Sequence, residues 1–347
     1  MSERPAYLPG DHLPAITIPD AAGQPYALMH QAIAGLHRIL ILGREPSPAA
    51  LAAAEAPLRH REAMLILVRN GQPDGARRSG GPVRVFDPQG QLGAVLGLPS
   101  GGVAVISPRG RLSLSLRGAT PDEGLRDALA TLPEPVEPPV FRSGAPVLIV
   151  PDVLEPDLVA ALLRHWEAGE KQRDRVAASS GGQVDAPSIK RRADVMLDDR
   201  ALHAAFQARI ERRVIPEMAR ATRFRAVSFE LPRIGCYDAA DAGGFGAHRD
   251  NRTPTTAHRR FAMSLNLNTG DYEGGQVRFA EFGPELYEPP KGGAVIFCCD
   301  LLHEALPVTR GRRFAIFTFF TDAEGSAQEK RLIEEHRAKG FTGVTLR

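Results

Sequence analysis

Two residues apart in the run Phe245-Gly246-Ala247-His248-Arg249-Asp250 stand an imidazole and a carboxylate. In an extended segment residues i and i+2 project to the same side, so His248 and Asp250 can reach one metal ion together. This donor pair suits a borderline divalent ion. A second imidazole from a distant strand would complete the two-histidine, one-carboxylate set that holds non-haem Fe(II) and leaves positions open for other ligands. His303, just after the apolar run Gly293 to Cys299, is the candidate. A lone His-x-Asp is common by chance, and a His beside a strand is more often packed than ligating, so the surrounding residues must decide. Beyond His303, the turn Leu306 to Arg313 leads into the β-run Phe314 to Phe320, where Arg313 shares a face with Ala315 and Phe317. A guanidinium aimed into an apolar barrel needs an anion. That anion is either a structural Asp or Glu, or a bound dicarboxylate whose distal carboxyl fits the fork of donors.

Such a site needs several strands to carry its parts, and after Phe224 the pattern is one of short strands with Gly and Pro turns through Thr321. Helices precede it, over Pro156 to Glu167 and over Ala201 to Arg223 with an interruption near Pro216, and a charged helix follows over Ser326 to Lys339. The polar stretch Lys171 to Ser188 has no apolar period and reads as a loop over the site or a plain surface loop. Lys190-Arg191-Arg192-Ala193-Asp194 reads as a solvated cationic face, with substrate contact as the sharper alternative. Gly274-Gly275 reads as a turn that needs positive φ.

Upstream the chain alternates β-rich and helical runs, as βαβ units do: His37 to Leu42, Pro48 to Arg61, Ala63 to Arg69. Gly102 to Ser107 and Arg111 to Leu116 form a hairpin, and Pro121 to Leu132 a closing helix. The Pro-rich run 133–146 cannot propagate a helix or a central strand and is the expected linker. The expectation is therefore two domains: an α/β domain over 1–132, and a second over 147–347 whose all-β core spans about 225–322, with flanking helices.

With 43 Lys and Arg against 41 Asp and Glu the formal charge is +2, which supplies no basic surface for nucleic acid. The longest apolar runs are strand-sized, so no membrane span is expected, and the N-terminus lacks a leader's apolar region, which points to the cytoplasm. Cys236, Cys298 and Cys299 are an odd number in apolar runs and read as buried thiols rather than a disulfide framework.

The ordered set Arg233 to Tyr237, His248-Arg249-Asp250, Asn266-Leu267-Asn268, Tyr272 to Phe279, Pro290 to Phe297, His303 and Pro307 to Arg313 resembles the prolyl-4-hydroxylase-like branch of the 2-oxoglutarate and Fe(II)-dependent oxygenases. The resemblance implies a double-stranded β-helix, or jelly roll, with iron held by His248, Asp250 and His303. Arg313 would grip the distal carboxylate of 2-oxoglutarate, and Tyr237 would touch the same cosubstrate. It further implies that O2 and 2-oxoglutarate are consumed, that succinate and CO2 are released, and that a C–H bond is hydroxylated, with ascorbate the candidate reductant. The segment between Tyr237 and His248 is longer than that pattern, and Phe245 stands where relatives often carry Tyr. Asn266 and Asn268 are candidates to line the site, although at least one should face elsewhere. The substrate, whether small molecule, peptide or protein, is not specified by a catalytic core.

Gly10 to Pro14, Ile16 to Ala22, Ile39 to Gly43, Phe86 to Gly90 and Val103 to Gly110 resemble the thioredoxin-like fold of peroxiredoxins and redoxins. That chemistry needs a reactive thiolate, and no Cys occurs before Cys236. Arg44 to Ala49 occupies the place of the active-site loop, and no base for Ser47 is evident. The N-terminal domain is therefore expected to be a scaffold, a partner-binding surface or a dimerisation element. A metal-containing module that binds a ligand or partner without catalysis is the rival reading of the barrel.

Overall fold

The computed structural model describes residues 6–75, 81–138, 140–173, 175–177, 183–185 and 189–338. The chain divides into two compact units, Met1–Pro139 and Val140–Arg347.

The N-terminal unit is built on near-continuous Ile, Leu and Val runs, as a sheet covered on both faces requires. Its strands are β1 (His37–Leu42), β2 (Ala63–Asn70), β3 (Val83–Asp87), β4 (Gly102–Ile106) and β5 (Leu112–Arg117), in the order β3-β2-β1-β4-β5. β1, β2 and β3 run parallel, while β4 and β5 are antiparallel, so the sheet is mixed. One face packs Ile39, Ile41, Leu65, Leu67, Val103 and Val105 against helices α1 (Pro48–His60) and α3 (Pro121–Thr131). The other packs Leu40, Leu42, Ile66 and Val68 against α2 (Gln91–Val95) and the N-terminal segment around Leu13 and Leu28. α1 and α3 open in the same way: Ser47 and Thr120 accept a backbone N–H at the N-cap and a proline follows.

The C-terminal unit is two facing antiparallel sheets. The larger runs β6 (Leu148–Val150), β13 (Ala294–Cys298), β11 (Phe261–Asn266), β15 (Arg312–Thr321), β9 (Arg233–Asp238) and β8 (Ala193–Met196), with Gln172–Arg173 at its edge. The smaller runs β7 (Lys190–Arg191), β10 (Gly244–His248), β14 (His303–Ala305) and β12 (Val277–Arg278), followed by Leu286–Tyr287. Strict alternation sorts the large sheet's side chains into two sets. Ile234, Cys236, Met263, Leu265, Phe314, Ile316 and Phe320 join Leu158, Leu162 and Trp166 of α4 (Pro156–Ala168), Phe206 of α5 (Arg200–Arg209) and Met218 of α6 (Ile215–Thr222) in one core. The opposite set, including Arg233, Tyr237, Ser264, Arg313 and Phe317, lines a cavity between the sheets.

Three expectations change in detail. The break near Pro216 is a π-helical turn over Ile210–Val214 that joins α5 to α6. The polar stretch 171–188 is not simply a loop: Gln172–Arg173 pairs with β8, and Arg175–Ala177 pairs with Gln183–Asp185, because backbone pairing needs no apolar period. Residues 174, 178–182 and 186–188 lie outside the described residues. The last helix begins earlier than its charge pattern suggested, at Ala323–Ala338, and Lys339 also lies outside them. Among the described residues no helix is long and apolar enough to cross a membrane.

Candidate active site

The three candidate ligands meet. His248 ends β10 and His303 opens β14, directly opposite each other in the ladder. Each ring's Nδ1 lies against a backbone carbonyl, Gly246 O at 2.8 Å and Leu301 O at 3.0 Å. A carbonyl only accepts, so Nδ1 carries the proton and each Nε2 lone pair is left to face the third group. His248 Nε2 is 3.5 Å from Asp250 Oδ1, and His303 Nε2 is 3.4 Å from Asp250 Oδ2. One donor atom from each residue lies within 4.8 Å of the others. The backbone fixes Asp250 too: its N–H donates to Cys299 O at 3.1 Å and its carbonyl accepts from Arg259 at 3.3 Å. Burial alone would raise the Asp250 carboxyl, but His303, His248 and Arg259 more than offset this and hold it below the usual range. Burial is also the main reason that His303 is held below an ordinary imidazole, and therefore neutral. Two imidazoles and an ionised carboxylate are the donors Fe(II) takes in a facial set. Phe245 stacks on the His248 ring at 3.6 Å between centroids, which further fixes it.

Arg313 is 1% exposed, and no carboxylate pairs with it among the described residues. One terminal nitrogen donates to Ser264 Oγ at 2.9 Å and to Asn266 Oδ1 at 2.8 Å. Its Nε and other terminal nitrogen are buried without any partner. The structural ion pair is thus absent. A buried guanidinium with two unmet donors is costly unless an anion joins it. It lines the same cavity, of about 290 Å3, as the His-Asp-His cluster. The donors fit a carboxylate. Tyr237 also lines the cavity, with its ring centroid 5.4 Å from the Arg313 guanidinium carbon and its hydroxyl accepting from Arg192 at 3.1 Å. The two asparagines separate. Asn266 faces Arg313, whereas Asn268 clips the backbone at Arg312 O and Phe314 N.

The cationic run is where the bland reading fails. Only Arg191 is exposed; Lys190, Arg192 and Asp194 are buried. Asp194 accepts from Lys190 at 2.8 Å and from Arg192 at 2.6 and 3.0 Å. Burial, with Arg192 beside it, brings the Lys190 ammonium down to about 7. Asp194 sits at about 2, because Arg192 and Lys190 outweigh its burial. Lys190 and Arg192 both line the cavity. A net of ion pairs explains why so charged a run can leave water. Sequence reasoning also passed over Arg233, Ser264 and the Glu230–Arg259 pair; Arg233 could have been found as the residue four before Tyr237, on its face.

In the N-terminal unit, Cys is absent and Ser47 is an N-cap. The expectation of nothing basic beside it needs correction, because Asp122 accepts from Ser47 Oγ and N at 2.7 Å each. Those same bonds pull its carboxyl below the usual range, which makes it a poor base.

No protein-family model matches the chain. A PKHD-type hydroxylase of Polaromonas sp. is 30% identical over 204 residues, covering 54% of this chain and 83% of that protein. One from Delftia acidovorans is 27% identical over 199 residues, with the same coverages. Among solved structures, a Pseudomonas putida prolyl-4-hydroxylase aligns with 51% of this chain and 92% of its own at 22% identity and a TM-score of 0.41. A His-Asp-His cluster fixed by backbone hydrogen bonds, in one cavity with a buried, uncompensated arginine between two antiparallel sheets, is the organisation of a 2-oxoglutarate and Fe(II) oxygenase unit. The identity and coverage of the Polaromonas relative take this a step further: the chain belongs to the PKHD-type hydroxylase family.

Proposed function

We propose that the C-terminal unit is a 2-oxoglutarate- and Fe(II)-dependent dioxygenase that hydroxylates a C–H bond, with His248, Asp250 and His303 as iron ligands and Arg313 as the anchor of 2-oxoglutarate. The observation that carries this reading is the uncompensated Arg313 in the cavity of the three candidate ligands. Bound there, iron would supply the oxygen chemistry, in which O2 gives one atom to succinate as 2-oxoglutarate loses CO2 and the other to the hydroxylated C–H bond. The chain's part is to orient and to exclude water. Ser264 and Asn266 hold one Arg313 nitrogen so that the others point at the distal carboxylate, and Tyr237 closes that end from the side. Ascorbate would serve as reductant after uncoupled turnover. The N-terminal unit, with its mixed sheet and helices on both faces, is read as thioredoxin-like without a thiol, and as a scaffold or a protein-interaction or dimerisation surface. The cellular compartment is taken to be the cytoplasm.

Anaerobic titration with Fe(II) and then 2-oxoglutarate tests the site. A visible charge-transfer band is expected in the natural protein, absent in His248→Ala, and requiring far more 2-oxoglutarate in Arg313→Ala. An iron-loaded natural protein without that band would return the chain to the binding-module reading.

A further inference from the structure

A second guanidinium in the cavity is left over once the cosubstrate is placed. Arg233 opens β9, and β9 pairs with β15 so that Arg233 lies opposite Phe317 while Tyr237 lies opposite Arg313. The two arginines therefore stand on neighbouring strands four residue steps apart, about 13 Å along the sheet. Both line the cavity that holds the His-Asp-His cluster. Only 20% of the Arg233 side chain is exposed, it makes no hydrogen bond among the described residues, and its Nε is buried without a partner. Its nearest ion-pair contact is Glu230 at 3.8 Å, beyond hydrogen-bond reach. That carboxylate is already taken. Arg259 donates to both Glu230 oxygens at 2.5 and 2.8 Å, and His258 lies 3.2 Å from one of them. Glu230 thus serves Arg259 first, and Asp194, the other carboxylate that acts on Arg233, already accepts from Lys190 and Arg192. Burial is the main cause that lowers the Arg233 pKa; Asp194 and Glu230 oppose it, and repulsion from Arg259 and Arg192 adds to it.

We propose that Arg233 receives a carboxylate of the primary substrate, so that the compound hydroxylated is a small carboxylic acid. This rests on the oxygenase reading above. 2-Oxoglutarate has two carboxylates; that reading gives the distal one to Arg313, and the other would be held by the iron, so the Arg233 donors fall to a different molecule. The class is set by three features. A planar fork of donors suits a carboxylate. The surrounding wall of Ala262, Val277, Phe297, Phe317 and Phe319 suits the hydrocarbon that carries it. A cavity of about 290 Å3 that must also admit the cosubstrate suits a short carbon chain behind that carboxylate.

The test uses the full chain, anaerobic, with Fe(II) and saturating 2-oxoglutarate. Propanoate to hexanoate, their amides, and inorganic phosphate are titrated in while the position of the charge-transfer band is followed. At least one acid is expected to shift the band without abolishing it, at a concentration at least tenfold below that of its amide. The preference should vanish in Arg233→Gln and return in Arg233→Lys, with the 2-oxoglutarate titration alike in all three proteins and melting curves confirming that each is folded. Acid and amide acting alike, or a preference that survives Arg233→Gln, overturns the proposal. So does phosphate matching the acids, which would mean a general anion site, or a raised 2-oxoglutarate requirement in Arg233→Gln, which would move Arg233 into the cosubstrate site. In each of these cases the oxygenase reading stands. A natural protein with no band at all removes that reading instead.

Discussion

At the scale of single residues, the site is organised by charges held apart from their partners. Arg313 is the clearest case: it is buried, holds Ser264 and Asn266 with one nitrogen, and leaves two donors unmet. Its burial therefore costs stability until an anion arrives. Arg313→Met should leave the ligand-free protein no less stable, with a gain on the order of 1 kcal/mol, because the uncompensated charge is gone. The same change should raise the 2-oxoglutarate requirement by about 100-fold, the equivalent of two charge-assisted bonds at about 1.5 kcal/mol each. Urea unfolding and the spectroscopic titration measure the two halves. A large loss of ligand-free stability would mean that Arg313 serves the fold. The residue types here were legible in the sequence, because His-x-Asp, a distant His and an Arg on an inward strand face carry their chemistry in their identity. Their neighbours were less so. That Lys190 and Arg192 turn inward depends on Asp194 folding back between them, and nothing in the local pattern separates this from a solvated run.

At the scale of elements, position depends on where strands end and turns tighten. Gly274 and Gly275 both adopt positive φ, at 78° and 73°, in the turn that Gly274-Gly275 suggested. The second also makes room: a Cβ there would lie 2.9 Å from Arg313 Cδ and 3.0 Å from a Val308 methyl. Gly275→Ala should therefore cost about 1–3 kcal/mol from the left-handed backbone and the crowding. It should also raise the 2-oxoglutarate requirement severalfold, since the stem of Arg313 must give way. An unchanged titration in a destabilised variant would show that the turn does not set Arg313. α4 was legible because burial enforces its helical period, and α1 because its Ala-rich run favours a helix. The short polar strands in 172–185 were not, because their pairing is carried by backbone groups common to every sequence.

At the scale of the whole molecule, each unit has its own core. Leu40, Ile66 and Ala104 belong to one core of the N-terminal unit, and Ile39, Leu67 and Leu125 to another. Leu162, Phe206 and Ile316 belong to the main core of the C-terminal unit. Thermal unfolding should resolve two transitions, of which one alone answers to Fe(II) and 2-oxoglutarate. With 2-oxoglutarate at 100 times its dissociation constant the gain is about 2.7 kcal/mol, or roughly 5–10 °C for a unit of this size. The same transition should be the acid-sensitive one. Glu230 and Asp194 sit at about 2 in the folded protein, against ordinary values of 4.5 and 3.8, since Arg259 in one case and Arg192 with Lys190 in the other outweigh burial. A carboxyl depressed by folding stabilises fully above its unfolded pKa and loses that contribution as pH falls through the folded one. Stability of the C-terminal unit should therefore drop between about pH 4.5 and 2. Asp122 and Glu123 of the N-terminal unit are also lowered, but by bonds at an exposed helix start where water screens them, so its transition should move less. Glu230→Gln separates the effects. Near neutral pH it should destabilise the C-terminal unit by about 3–5 kcal/mol, because Arg259 loses its partner while buried. Below pH 4.5 its stability should fall less steeply than that of the natural protein. Calorimetry across that range, with both transitions followed in each protein, decides it: parallel pH curves would place the acid sensitivity outside the Glu230–Arg259 pair.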